Sequence, residues 1–302
     1  MDQQVIGSLA ALGSAASWAL GAILFKQLGE HLPPAAMTLA KGVISTLLLG
    51  CVLTWIGYEA VDQKTLGLLI GSGLLGIALG DTFFFAALRN LSAYVVVVFF
   101  MLGQVLTALF AILWFGEIVA PPAIVGIVLT IFGITLVLWS QCWDEKDPGA
   151  SNVTGIFYGL LSMLCMSGSV LIAKQALNVT PTIQATFIRM LAGMLGVMIF
   201  SLFTRQTLGF IKPFANVKFS LQFLVSVGIV TFGGFWLSMV GIKYLDVAIA
   251  NTLNSTEPLF ALPLAVIFLK ERVTPLIILG CLISICGVIL LTGGWVPKGL
   301  LI

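Results

Sequence analysis

Ten runs of apolar residues, each about twenty residues long, fill almost the whole chain. They cover residues 5–26, 34–57, 65–88, 92–115, 121–140, 152–176, 181–203, 217–242, 246–269 and 275–294. An α-helix needs about twenty apolar residues to cross the hydrocarbon core of a bilayer. Because no water reaches that core, a spanning segment must satisfy its own backbone polar groups, as a helix does. The sequence therefore predicts an all-α, polytopic membrane protein of ten transmembrane helices.

Charged residues are scarce throughout the chain. They make up 9% of the 302 residues, against roughly 25% in soluble domains, and hydrophobic residues make up 60%. Ten spans leave no length for a soluble domain. The formal net charge of +2 comes without a basic patch, so we expect no nucleic-acid partner. The five cysteines lie mostly in apolar runs without metal-ligand spacing, so we expect no metal site and no cofactor.

An internal repeat relates the two halves of the chain. An offset of 148 residues matches early positions, and an offset of 154 matches later ones. The matched pairs are Gly7/Gly155, Lys26/Lys174, Pro33/Pro181, Thr38/Thr186, Lys41/Arg189, Arg89/Lys243, Leu91/Leu245, Glu117/Glu271, Pro121/Pro275, Gly126/Gly280 and Gly133/Gly287. The predicted repeats are residues 1–143, with helices 1 to 5, and residues 152–294, with helices 6 to 10. Because five is odd, the halves must be inverted relative to each other, which is typical of secondary transporters.

One predicted helix carries a polar stripe. The run from 246 to 269 contains Asn251, Asn254, Glu257 and Pro258. An acid at the centre of a membrane helix costs roughly 2.5–3.5 kcal/mol on insertion scales, unless it faces a bundle interior or a wet cavity. Glu257 is therefore a candidate binding or coupling residue, with Asn251 and Asn254 beside it to orient a substrate. The alternative is a polar seam that only joins helices.

Three more charges lie inside predicted spans. Lys41 and Asp81 are both about 12 Å from the same membrane face, at 1.5 Å per residue, so an ion pair between them is expected. Arg189 and Glu257 also share a face and predict a looser pair. These groups would bind a zwitterionic or charged substrate, or exchange a proton. The alternative is that the pairs are permanent and structural.

Three further side chains complete the candidate site. Trp18 and Trp236 each carry an indole N–H that needs a partner, and we expect both in the wall of a cavity. The offset of 154 aligns Gly103–Gln104 of the first repeat with Glu257–Pro258 of the second, so Gln104 is also a candidate.

Charges near helix ends predict structural roles. Lys26 and Lys174 are expected to extend to the lipid headgroups. Glu117 and Glu271 each precede a helix that begins with proline by four residues. An acid there meets the positive end of the helix dipole, so we expect both to stabilise turns.

Several motifs resemble those of the EamA group of the drug/metabolite transporter superfamily. The resemblance lies in Trp18, Gly21 and Lys26, in the segment GDTFFFAALRNLSA from Gly80, and in the hairpins FGEIVAPPAIVGIVLTIFGI and LKERVTPLIILGCLISICGV. It covers nearly the whole chain and implies a central cavity between the halves, with helices 5 and 10 at the periphery. Proteins similar to these export amino acids, other metabolites or drugs, and more distant relatives move sugar phosphates and nucleotide sugars.

The leading functional hypothesis is a secondary active transporter that alternates access around a central cavity and exports small metabolites such as amino acids. Transport of a nucleotide sugar, sugar phosphate or drug is the alternative within the superfamily, and a channel-like or structural membrane subunit is the alternative of another class. We expect no enzyme activity and no catalytic residue, because His31 is the sole histidine and the deep acids lie in different halves. No GxxxxGK[ST] loop for ATP is present.

Localisation follows from the same pattern. We expect a multi-pass protein of the cell (inner) membrane with both termini on one side, acting as a monomer or homodimer, with proton coupling as a hypothesis. Eight basic residues lie in loops on the face opposite the termini and four on the face of the termini, so charge favours external termini. The family resemblance instead implies internal ones.

Overall fold

The chain folds into helices. The structure, a computed structural model, describes residues 3–115, 121–142, 153–177, 179–203, 212–245, 250 and 253–293, and contains no β-strand among them. The helices are α1 (Gln3–Leu28), α2 (Pro34–Ile56), α3 (Gln63–Asn90), α4 (Ala93–Phe115), α5 (Pro121–Cys142), α6 (Val153–Leu177), α7 (Thr182–Phe203), α8 (Val217–Tyr244), α9 (Glu257–Leu269) and α10 (Pro275–Gly293).

Six of these helices are long and apolar enough to cross a membrane, namely α1, α2, α3, α6, α7 and α8. The apolar parts of α4, α5, α9 and α10 are shorter within the described residues. The all-helical, multi-pass prediction is confirmed by the six long helices, whereas the count of ten spans stays a prediction.

Contacts between the halves are reciprocal. Helix α1 packs against α8, and its repeat equivalent α6 packs against α3. The Ser14 hydroxyl donates to the Gly234 carbonyl at 3.0 Å, and the Ser162 hydroxyl donates to the Gly80 carbonyl at 2.9 Å. Ser162 is 148 residues after Ser14, and Gly234 is 154 after Gly80, so the two bonds are repeat equivalents. Such an exchange of equivalent contacts is what an approximate two-fold axis between the repeats produces.

Two helices at the contact between the halves, α3 and α8, contain π-helical segments at equivalent places in the two repeats. The segments are Leu74–Asp81 in α3 and Ile229–Trp236 in α8. π-helical turns are rare and occur frequently at functional sites. A Cβ atom at Gly76 would lie 2.2 Å from the Ser169 hydroxyl, and one at Gly233 would lie 2.2 Å from the Ser17 hydroxyl. Glycine is therefore what allows each segment to approach the neighbouring helix.

Helices α5 and α10 pack mainly against each other and against α4. Their contact is a close backbone approach, because a Cβ at Gly133 would lie 2.5 Å from the Gly280 carbonyl oxygen, and one at Gly126 would lie 2.3 Å from the Leu291 backbone nitrogen. Small residues at such crossings are the usual basis of helix association in membranes.

We expect Gly133→Ala to force these two helices apart. Overpacking of this kind costs roughly 1–3 kcal/mol. The Ser284 hydroxyl could rotate away from the new methyl group, but the Gly280 carbonyl oxygen and the Ser284 nitrogen are backbone atoms and cannot. The measurement is the thermal unfolding midpoint in detergent, followed by tryptophan fluorescence. Gly71→Ala is the matched control, because a Cβ there meets no atom within 4 Å. Equal midpoints for the two variants would show that the close approach contributes nothing to stability.

Two charges near helix ends have partners that the sequence did not predict. The Lys26 ammonium donates to the carbonyls of Leu88 and Leu91, each at 2.6 Å, so it closes the end of α3 instead of extending to the headgroups. The last carbonyls of a helix lack partners within the helix and attract a cation. The Glu271 carboxylate accepts from the Ala93 backbone N–H at 2.9 Å, so it caps α4 of the other half. Glu117 lies outside the described residues.

Candidate functional site

A cavity of about 160 Å³ lies between the two halves. Residues from α1, α3, α4, α6, α7 and α8 line it, together with the segment that leads into α9. The lining residues are Trp18, Gly76, Val97, Phe100, Met101, Gly103, Met163, Met166, Ser167, Ser169, Val170, Arg189, Phe235, Ser238, Met239, Ile242, Asn254, Ser255, Glu257 and Pro258. The central cavity implied by the family resemblance is thus present.

The polar run from 246 to 269 does not form one continuous helix. Leu253 and Asn254 are helical, a turn follows, and α9 then begins at Glu257. Pro258 explains the start, because proline lacks the N–H that the first helical turn leaves without a partner. Glu257 is 6% exposed and lines the cavity. Its Oε1 atom and the Asn254 Oδ1 atom are buried with no hydrogen-bond partner among the described residues. The break therefore presents two oxygen acceptors at the cavity.

Arg189 of α7 enters the cavity from another side. It is 4% exposed, and its guanidinium donates to the Ser169 hydroxyl at 3.0 Å and to the Met239 sulfur at 3.4 Å. The Ser169 hydroxyl donates to the Ser72 carbonyl at 2.8 Å, which fixes its orientation. The Nε atom of Arg189 has no hydrogen-bond partner among the described residues. One N–H of a guanidinium on the cavity wall therefore has no acceptor among the described residues.

The predicted Arg189/Glu257 pair does not form. Both residues line the cavity, but among the described residues no salt bridge joins them. Arg189 is held by Ser169 and Met239, and Glu257 starts a separate helix beyond the break. The cavity consequently has a cationic and an anionic group that do not neutralise each other in direct contact.

Aromatic rings form one wall of the cavity. The Trp18 ring lies 4.5 Å from the Phe235 ring and 6.3 Å from the Phe100 ring, measured between centroids. Trp236, by contrast, packs edge-on against Phe232 at 6.4 Å and is not among the lining residues. Trp18 thus lies in the wall of the cavity, whereas at the end of the π-helical segment the lining residue is Phe235 and not its neighbour Trp236. Phe235 and Trp236 both lie in the π-helical segment Ile229–Trp236, which changes the side chains of α8 that face the cavity. A pattern based on a regular α-helix does not predict that change.

The predicted ion pair between Lys41 and Asp81 is confirmed. The Lys41 ammonium donates to Asp81 Oδ2, and each residue is 1% exposed. Lys41 also lies over the Phe235 ring, 4.5 Å from its centroid. Neither member of the pair is among the residues that line the cavity, and their part in substrate binding or coupling stays a prediction. Phe235 is the side chain that contacts both the pair and the cavity.

Two other predicted site residues have no described side chain. Asn251 lies outside the described residues, and of Gln104 only the helical backbone is described. Three contributors were missed, namely Phe235, Ser169 and Met239. The internal repeat pointed to Phe235, because the offset of 154 matches it with Asp81, which was already a candidate site residue. Ser169 and Met239 carry no comparable signal.

The arrangement can hold a small solute with both signs of charge. Lys41 and Asp81 neutralise each other behind the cavity. Arg189 and Glu257 then face the cavity with one formal charge each, next to apolar and aromatic walls. Removing charges from water is costly unless each finds an opposite partner, so a bound group of opposite charge is favoured at each of them.

The fold and the cavity define a class, a multi-pass membrane protein whose two repeats enclose a central site, as in membrane transporters. The chain belongs to the EamA-like transporter family, whose model matches residues 5–139 and again residues 153–293. Each match falls on one of the two repeats.

Two relatives and one solved structure are similar along almost their whole length. An uncharacterized transporter of Archaeoglobus fulgidus is 22% identical over 284 residues, which cover 94% of this chain and 96% of the relative. Protein LicB of Haemophilus influenzae is 25% identical over 293 residues, with coverage of 94% and 96%. A protein crystal structure has a TM-score of 0.66 and 16% identity, covering 95% of this chain and 94% of the other. At that identity the structural likeness shows the fold alone.

Proposed function

We propose that the protein is a secondary active transporter that alternates access to the cavity between its halves and exports small zwitterionic metabolites such as amino acids. The observation that carries the proposal is the pair of opposite charges, Glu257 and Arg189, on the wall of one cavity without a salt bridge between them. The family and its relatives support transport as the general activity.

A zwitterion fits the two charges. Its ammonium group would donate to the Glu257 Oε1 atom, and its carboxylate would accept from the Arg189 Nε atom. Neither atom has a hydrogen-bond partner among the described residues. The wall of Trp18, Phe100 and Phe235 would contact an apolar side chain of the substrate. The volume of about 160 Å³ is below the roughly 300–1,000 Å³ of pockets for drug-sized ligands, which favours a small metabolite over a nucleotide sugar.

Proton coupling is proposed to act through Glu257. When the halves rock, the surroundings of a cavity residue alternate between wet and dry. A carboxylate such as Glu257, which has no salt bridge among the described residues, can then gain or lose a proton in step with that change. Asn254, three residues earlier, would orient the substrate without titrating. The site of action is proposed to be the cell membrane, with both termini on one side and a monomer or homodimer as the working unit.

The decisive experiment is counterflow in proteoliposomes with a panel of metabolites. We expect saturable exchange of an amino acid, which an open channel or a structural subunit cannot give. Competition by the methyl ester and by the deaminated analogue of that amino acid is expected to be at least about tenfold weaker, since a hydrogen bond to a charged group contributes about 1.5–3 kcal/mol.

Arg189→Gln supplies the matched control for this competition. In that variant the methyl ester should compete about as well as the amino acid, because the group that distinguishes them is gone, while the deaminated analogue should remain weak. Absence of saturable exchange for every metabolite in the panel would refute the carrier. Equal competition by all three compounds in the unsubstituted protein would refute the zwitterion.

A further inference from the structure

The second half of the chain contains a buried cation without the acid that accompanies its counterpart. The offset of 148 matches Lys41 of α2 with Arg189 of α7, and the offset of 154 matches Asp81 of α3 with Phe235 of α8. Two cations therefore occupy equivalent places in the two repeats, whereas the acid Asp81 of the first repeat is matched by the uncharged Phe235 in the second.

Only one of the two carboxylate oxygens of Asp81 has a hydrogen-bond partner among the described residues. Its Oδ2 atom accepts from Lys41, but its Oδ1 atom is buried with no hydrogen-bond partner among the described residues. The Arg189 Nε atom is in the same condition, and the Arg189 guanidinium lies against the π-helical segment that ends at Asp81, since a Cβ at Gly76 would lie 3.7 Å from one of its terminal nitrogen atoms. Helices α2 and α7 are in direct contact, with the Met194 side chain against Gly42. Asp81 Oδ1 and Arg189 Nε are thus a buried acceptor and a buried donor, each without a hydrogen-bond partner among the described residues, on helices that pack against each other.

Alternating access between inverted repeats exchanges the conformations of the two halves. The surroundings that Lys41 has in one state are then those that Arg189 has in the other. A buried cation without a counter-ion is strongly disfavoured, and Phe235 cannot supply a charge where the repeat would place a second acid. We propose that Asp81 is a counter-ion shared by the two halves, paired with Lys41 in the present conformation and with Arg189 in the conformation open to the opposite side.

Two features of the structure suit this exchange. Asp81 is the last residue of the π-helical segment of α3, where a change between π-helical and α-helical turns would reorient its side chain. The Phe235 ring, 4.5 Å from the Lys41 ammonium, gives Lys41 a cation–π contact that does not depend on Asp81. Lys41 therefore keeps a partner when Asp81 moves.

The exchange would also promote substrate release. It rests on the proposed function, in which the Arg189 Nε atom binds the substrate carboxylate. When Asp81 pairs with Arg189, that N–H is occupied and its charge is neutralised. The affinity of the cavity for an anionic group falls in the conformation that must release it.

The test measures how two substitutions change the populations of the two conformations. Spin-label pairs at Trp55 and Val179 on one face, and at Glu30 and Val217 on the other, report the separation of the halves by pulsed electron paramagnetic resonance in nanodiscs, in a background without native cysteines. All four positions are exposed. Lys41→Gln should favour the opposite conformation, because Asp81 then has only Arg189. Arg189→Gln should favour the present one. Each population ratio should change about tenfold or more, as expected for loss of a charged hydrogen bond.

Three further controls test for misfolding and indirect effects. Lys41→Arg keeps the charge and adds a second donor for Asp81, so it should favour the present conformation. In an Asp81→Asn background, the same Lys41→Gln and Arg189→Gln changes should no longer move the populations in opposite directions. Lys64→Gln, at an exposed lysine, should leave them unchanged.

Shifts in the same direction for Lys41→Gln and Arg189→Gln, or opposite shifts that persist without Asp81, would overturn the shared counter-ion. If the unsubstituted protein shows two populations and neither substitution moves them, the counter-ion alone is rejected. A single unchanging distance at both faces, with and without substrate, would reject alternating access and the counter-ion together.

Discussion

Replacement of Glu257 by glutamine is expected to abolish substrate accumulation driven by a pH gradient while counterflow exchange is retained at higher substrate concentrations, because the neutral side chain binds the substrate ammonium more weakly. The carboxamide keeps the shape and the hydrogen-bonding capacity of the side chain but cannot take up or release a proton. Glu257 lies at the start of α9 on the cavity wall, with Oε1 free of hydrogen-bond partners among the described residues, so the neutral replacement breaks no described contact of that atom. The variant should therefore fold and insert normally.

The measurement compares two assays on the same proteoliposomes. Counterflow reports exchange without net proton movement, and uptake against an imposed pH gradient reports coupling. Glu59→Gln is the matched control, because Glu59 is an exposed acid in the loop between α2 and α3. It should behave as the unsubstituted protein in both assays. Accumulation by Glu257→Gln at the original rate, with the same dependence on pH, would show that Glu257 is structural.

Replacement of Lys41 alone is expected to be far more damaging than replacement of Lys41 and Asp81 together. Each residue is 1% exposed, so Lys41→Ala leaves the Asp81 carboxylate buried without its ion-pair partner. Breaking one side of a buried pair typically costs about 3–5 kcal/mol, whereas removing both sides can be nearly neutral. The double variant Lys41→Ala, Asp81→Ala should therefore recover most of the lost stability.

The thermal unfolding midpoint and the folded yield from membranes measure this difference. Lys64→Ala is the control for loss of a lysine at an exposed site. Strictly additive losses in the double variant would show that the two residues do not interact. A large loss in Lys64→Ala would show that the assay reports net charge instead of the buried pair.

Much of the fold was predictable because a bilayer restricts a chain so severely. The lengths of the apolar runs were enough to predict an all-helical, multi-pass protein, and equal depth from one membrane face was enough to pair Lys41 with Asp81. Depth is a one-dimensional quantity, however. It predicted the same relation for Arg189 and Glu257, which line one cavity without a salt bridge, since the rotation of each helix about its axis was not determined.

Local backbone geometry explains the other errors. The break before Glu257 and the π-helical turn before Trp236 both shift the side chains that follow, and a regular pattern of 3.6 residues per turn contains neither. Lys26 was assigned to the headgroups because its position near a helix end suggested it. Its actual partners are carbonyls of Leu88 and Leu91, about sixty residues away, and a side-chain pattern gives no information on free backbone acceptors.

The π-helical segments of α3 and α8 also bear on the history of the chain. They occupy equivalent places in the two repeats, Leu74–Asp81 and Ile229–Trp236. The simplest origin is a single ancestral five-helix unit that already had this irregular turn before its gene was duplicated and fused. On that account the backbone of the central helices is older than the difference between Asp81 and Phe235. The two halves then inherited the same backbone shape and diverged later in the charge of their side chains. The site is therefore asymmetric in charge although the helices around it are arranged symmetrically.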